Sequence, residues 1–176
     1  MINIEALTGY LIEDISTDNI KQLSDSDKVD QNMIDLLWQI TISNKHPQSW
    51  RAAWTIFHLV HKSRKELMRP YLTQILELIP NFKHNGQKRE LLKVILLFDV
   101  EEIDMGIALE VAYELLNNPK EALAVRVHAM QLIFNISEVE QDLKYELKAT
   151  LLHLMPNTSP GFKGRSKRLL DKMKGV

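Results

Sequence analysis

One five-residue pattern recurs four times at nearly equal intervals: Ala53-Trp54-Thr55-Ile56-Phe57, Leu91-Leu92-Lys93-Val94-Ile95, Ala129-Met130-Gln131-Leu132-Ile133 and Ser166-Lys167-Arg168-Leu169-Leu170. Each copy opens on a small or apolar residue, has a polar residue third, and closes on two large apolar ones. The starts at 53, 91, 129 and 166 are separated by 38, 38 and 37 residues. A second series runs in phase with the first, because apolar helical segments close at Ile42, Ile79-Pro80, Leu116-Asn117 and Met155-Pro156. Two registered series at one spacing define an array of helical hairpins, each leaving an apolar face that only a neighbour can bury.

Periodicity and punctuation divide the chain accordingly. Hairpin one spans about 29–62 and pairs helices at 29–42 and 48–62; hairpin two spans 64–98 with helices at 64–79 and 86–98. Hairpin three spans 104–137, with helices at 104–117 and 120–136, and hairpin four spans 140–174, with helices at 140–155 and 159–173. In the first of these helices Met33, Ile34, Leu36, Leu37 and Ile40 form the apolar stripe; in the second Trp50, Ala53, Trp54, Ile56, Phe57 and Val60 do so. Pro70 falls in the first turn or two of its helix, where a missing N–H costs least, and Pro119 stands where the first residue of a helix is expected. Pro156-Asn157-Thr158-Ser159-Pro160 supplies both a break and the next N-cap. No segment alternates with period two over a useful length, so no sheet is expected. Residues 1–28 stand outside the repeat and read as a helical cap, with a helix at 3–14, a short one through Ile20 and Leu23, and a polar loop at 24–27. One continuous repeat domain follows from 29 onward.

The charge of −1 across 176 residues advertises neither nucleic acid nor a membrane surface, and 45% apolar content is ordinary for a globular chain. With no cysteine, disulfides, thiolate metal sites and cysteine nucleophiles are excluded. The stretch from Met1 lacks a basic region and reaches Glu5 at once, which is unlike a secretory signal. No apolar run approaches the ~20 residues of a membrane span. Cytoplasmic location is the expectation.

The second helix of hairpin three carries Val125-Arg126, then Ala129, then Leu132-Ile133, and this resembles the Val-Arg-x-x-Ala-x-x-x-Leu signature of HEAT repeats. Arg51-Ala52-Ala53 and Arg89-Glu90-Leu91 are looser versions, and Arg165 of the last hairpin is looser still. The chain thus looks like a HEAT-repeat protein of the armadillo-type group over about 29–174. The resemblance implies an all-α fold, a right-handed superhelical solenoid of about four HEAT-like hairpins with an N-terminal cap. It also implies first helices on a convex side and second helices lining a concave one. Such families are mostly non-enzymatic interaction scaffolds, with a branch of DNA glycosylases that cradle duplex DNA.

Charge separates by helix type. The first helices with their links (29–43, 64–79, 99–117, 138–155) sum to −9, whereas the second helices (48–63, 86–98, 119–137, 159–174) sum to +10. On the arrangement the resemblance implies, the second-helix surface is positive and attracts an anionic partner. Its polar positions are Arg51, Thr55, His58, Arg89, Lys93, Arg126, Gln131, Arg165 and Arg168, and these nine form the expected partner-binding row. Trp50 and Trp54 lie one turn apart and read as core, while Trp38 sits nearer the polar edge of its helix.

Nothing in the sequence assembles an enzyme. His58 and His61 lack a third ligand nearby in sequence, so no metal is expected. The six glycines are scattered and form no phosphate-binding loop. Of the carboxylates on the second helices, Glu90, Glu121 and Asp171, none neighbours a tryptophan in sequence. No catalytic residue and no cofactor is therefore assigned. The expectation is a non-enzymatic scaffold for a protein partner, an acidic segment or surface. Nucleic-acid binding, related to the HEAT-like DNA glycosylases, is the alternative.

Overall fold

The structure, a computed structural model, describes residues 4–13 and 29–173. Those residues form α- and 3-10 helices joined by turns and short links, with no strand among them. The short helix expected through Ile20 and Leu23 and the loop at 24–27 lie outside the described residues. The chain packs into two compact units, Met1–Phe98 and Asp99–Val176.

In the first unit the helices are α1 (Ile4–Glu13), α2 (Gln31–Ile42), α3 (Gln48–Val60), α4 (Leu72–Leu78) and α5 (Asn85–Ile95). Helix α2 begins where Asp30 Oδ1 accepts the Met33 N–H at 2.9 Å, satisfying one of the orphan donors of a helix start. Helix α3 packs against α1, α2 and α5, so it buries more than one stripe: Ser49, Ala52, Ala53, Thr55, Ile56, Leu59 and Val60 are all interior. The stretch expected as one helix over 64–79 is instead a 3-10 segment, Lys65–Tyr71, followed by α4. Pro70 explains the difference. It lies inside the 3-10 segment, where its ring removes an N–H and disfavours α geometry at Arg69, so regular α-helix starts only at Leu72.

The second unit contains α6 (Met105–Asn117), α7 (Leu123–Val139), α8 (Leu143–Leu154) and α9 (Pro160–Lys172). Helix α7 is its centre, packing against α6, α8 and α9. It begins three residues later than the sequence suggests, and Pro119 does not open it. The Asn118 side chain accepts the Lys120 N–H at 3.0 Å and the Asn118 carbonyl accepts that of Glu121 at 3.2 Å, which winds 118–121 into a turn first. At the other end of the unit, Ser159 caps α9 and Pro160 is its first residue, as the sequence predicts.

The repeated pattern maps onto burial. Its opening residues Ala53, Leu91, Ala129 and Ser166 have no exposed surface, and its fourth residues Ile56, Val94, Leu132 and Leu169 are at most 1% exposed. Burying such side chains contributes ~1.5–3 kcal/mol each before conformational entropy is charged against it. Trp38 belongs to this interior too. It is 3% exposed, its Nε1–H donates to Gln74 Oε1 at 2.8 Å, and its ring lies 5.2 Å from that of Tyr71. Tyr71 in turn donates to Asp35 Oδ1 at 2.5 Å; burial and that carboxylate push its phenol up to about 12.

A candidate interaction surface on the second helices

The nine residues expected to form a partner-binding row separate into two groups, one in each unit. Arg51, Thr55 and His58 stand on α3 and Arg89 and Lys93 on the adjacent α5, while Arg126, Gln131, Arg165 and Arg168 stand on α7 and α9.

Two of the nine correct the sequence reading, because they lie inside. Thr55 is 1% exposed, and its hydroxyl finds no hydrogen-bond partner among the described residues. Arg126 is 9% exposed. Its Nε donates to the Leu116 carbonyl at 2.9 Å, at the end of α6, and its guanidinium lies 4.6 Å from the centre of the Phe162 ring on α9. Burial pushes this guanidinium down from its ordinary value. It ties three helices together and presents little to a ligand.

The remaining seven are half-buried or exposed, and most already have partners. Arg51 donates to the Leu11 carbonyl of α1 at 2.8 Å. Arg89 and Lys93 both clasp Glu90, at 2.7 and 2.6 Å, and the Glu90 side chain is only 1% exposed. Lys93 also sits over the Phe57 ring, its Nζ 3.6 Å from the centroid. Gln131 donates to Asn135 at 2.6 Å and accepts from Arg165, which joins α9 to α7. Arg168 is exposed.

The tryptophans of α3 are less interior than their spacing predicts. Trp50 and Trp54 are each half-buried, and both lie against histidines. Trp50 stacks on His84 with ring centres 5.6 Å apart, and His84 in turn meets His46 at 4.7 Å. Trp54 lies 4.0 Å from His58, and Phe57 stacks on His61 at 5.1 Å. Two clusters of rings therefore lie along α3, Trp50 with His84 and His46 at its first turn and Trp54, Phe57, His58 and His61 toward its last, with Lys93 of α5 over Phe57. The sequence shows the ring types but not these clusters, since His84 and Lys93 come from another helix.

The imidazoles fall into two kinds by hydrogen bonding. His58 Nδ1–H donates to the Trp54 carbonyl at 2.8 Å, and His61 Nδ1–H donates to the His58 carbonyl at 3.0 Å. In both, Nε2 is left as the basic nitrogen. His84 is the reverse, since its Nδ1 accepts the Gly86 N–H at 3.1 Å and so caps α5. A Cβ on residue 86 would lie 2.9 Å from that Nδ1, so glycine lets the ring close over the helix end. Burial above all pushes His58 down, with the Lys93 charge acting the same way and the Trp54 carbonyl and Glu90 opposing; burial, His46 and Arg89 push His84 down.

Glu90 is the residue that linear reasoning passes over. No tryptophan neighbours it in sequence, yet packing of α5 on α3 brings its charge within reach of His58, which lies on Trp54. It neutralises two cations counted as available for a partner. Among the described residues no three His, Asp or Glu side chains gather closely enough to hold a metal ion, and no helix is long and apolar enough to cross a membrane.

Comparison with curated proteins and with solved structures finds no match for the chain. The HEAT repeat domain family does match, over residues 7–173, which takes in all four copies of the repeated pattern and the helices that bury it. On that match, the chain belongs to the HEAT repeat domain family.

Proposed function

We infer that this HEAT-repeat chain is a non-enzymatic scaffold whose second helices take an acidic segment of a macromolecular partner, most simply a protein. The observation that supports this reading is the composition of the α3–α5 face. Residues 48–63 and 86–98 carry five lysines and arginines against one carboxylate, Glu90; four of the five, Arg51, Lys62, Arg89 and Lys93, are half-buried or exposed, while Lys88 is buried. The half-exposed rings of Trp50, Trp54 and Phe57 add apolar contact beside those cations. Aromatic and arginine side chains together are the groups that anchor protein interfaces.

The test is fluorescence anisotropy of a labelled acidic peptide at about 50 mM salt, where surface charges still act over more than ~10 Å. Arg89→Glu is expected to weaken binding several-fold, and Thr55→Ala to leave it unchanged. Absence of binding to the parent chain would remove the acidic-partner reading. If a single-stranded oligonucleotide binds instead, with affinity falling steeply as salt rises, nucleic acid replaces protein as the partner.

A further inference from the structure

At the end of α3, beside His61, lies a cleft of about 270 Å³, lined by Val60, His61, Lys62, Ser63, Lys65, Glu66 and Leu97. Its cations come from the turn after α3 and from the following 3-10 segment, not from the row of second-helix positions that the repeat picks out. The one acid on its wall, Glu66, is held by Arg69 at 2.7 Å, so its charge is already engaged. Leu97 supplies an apolar wall. His61 is stacked on Phe57 and lies 5.9 Å from the His58 ring.

We propose that this cleft is the anchor subsite for a carboxylate side chain of the acidic partner, with His61, Lys62 and Lys65 on its wall and His58, beside His61, taking up a proton as the anion binds. The proposal rests on the acidic-partner reading above and gives that reading a fixed point and a pH dependence.

Three features argue for the proton coupling. His58 stands in the last turn of α3, where the helix carbonyls favour a cation. It already spends Nδ1–H on the Trp54 carbonyl, so protonation at Nε2 breaks no hydrogen bond. The charged groups near it are Lys93 and the paired Glu90 of α5, and the cleft adds Lys62, Lys65 and the paired Glu66. In the free chain Lys93 acts against a further positive charge on His58 more than Glu90 favours it. An incoming carboxylate relieves that repulsion, so it is bound together with a proton, and imidazoles are the side chains that exchange protons near neutral pH.

The test uses the full chain and a fluorescein-labelled peptide of eight glutamates, which stays ionised at both pH 6.0 and pH 7.5. If the His58 imidazole becomes about tenfold harder to deprotonate in the complex, binding is roughly fourfold tighter at pH 6.0 than at pH 7.5. His58→Gln is expected to abolish that difference. Lys62→Gln, at an exposed position, is expected to weaken binding at both pH values and to leave the melting temperature unchanged. Binding that is the same at both pH values, or that ignores Lys62→Gln, overturns the subsite while the acidic-partner reading survives. No binding at either pH overturns both.

Discussion

The carboxylate of Glu90 accepts the Lys93 ammonium at 2.6 Å, one helical turn away, with 1% of the Glu90 side chain exposed. Arg89 holds the other oxygen at 2.7 Å. This acid stabilises the α5 surface and also competes with any acidic partner for the same two cations. Glu90→Gln is therefore expected to act in opposite directions on two measurements. Stability should fall by about 1–2 kcal/mol, toward the low end for charged hydrogen bonds because both cations are partly solvated. Affinity for the glutamate peptide should rise about threefold as the cations are released. A denaturant titration and an anisotropy titration on the same sample check both, and a fall in affinity in a chain that stays folded contradicts the competition.

Stability of the free chain should decline on mild acidification. His58 and His84 are held below the ordinary imidazole value in the folded state, so the unfolded chain binds protons more readily. Their contribution is complete above about pH 6.5 and is lost as the pH falls below that value toward their lowered folded values. For His84 the cause includes geometry, since a proton on Nδ1 would oppose the Gly86 N–H that it caps. The melting temperature is expected to be lower at pH 5.5 than at pH 7.5, and His58→Gln should reduce the difference. A rise on acidification over this range would contradict the burial of these rings.

Arg126 should behave as a structural residue in spite of its charge. Arg126→Ala removes the hydrogen bond to the Leu116 carbonyl and the contact with Phe162, and should cost about 2–4 kcal/mol. Lysine should not restore it, because an ammonium offers neither the planar stacking surface nor the Nε donor. Thermal melts of Arg126→Ala and Arg126→Lys check this, and full stability in the lysine variant would show that charge alone matters here.

Neighbouring leucines on α8 should differ sharply. Leu151 has no exposed surface and Leu152 is 53% exposed. Leu151→Ala is expected to cost about 2–5 kcal/mol, whereas Leu152→Ala should stay within about 0.5 kcal/mol. Equal costs would mean that the Leu152 side chain is covered.

Much of the fold was legible because burial follows period. The residues opening the pattern, Ala53, Leu91, Ala129 and Ser166, all became interior, including a serine whose burial only its register predicts. Prolines were legible as interruptions but less so in detail. Pro70 unwound a whole turn into 3-10 geometry, and Pro119 fell in a turn before its helix, since local hydrogen bonds outweighed the preference for a helix start. The candidate surface was legible as charge and not as availability. Counting cations on the second helices identified Arg89 and Lys93, but not that Glu90 holds both, nor that Thr55 and Arg126 are inside.

By itself the sequence determined the helical hairpins, their register and the segregation of basic residues onto the second helices, because each depends on spacing within one segment. Tertiary structure alone decided which cations are engaged, which rings meet, and that a cleft opens beside His61. Those properties depend on residues far apart in the chain, such as Trp50 with His84, and on competition between partners of one group. A linear pattern specifies which face of a helix is apolar, but the accessibility of a charge depends on what the neighbouring helix places against it.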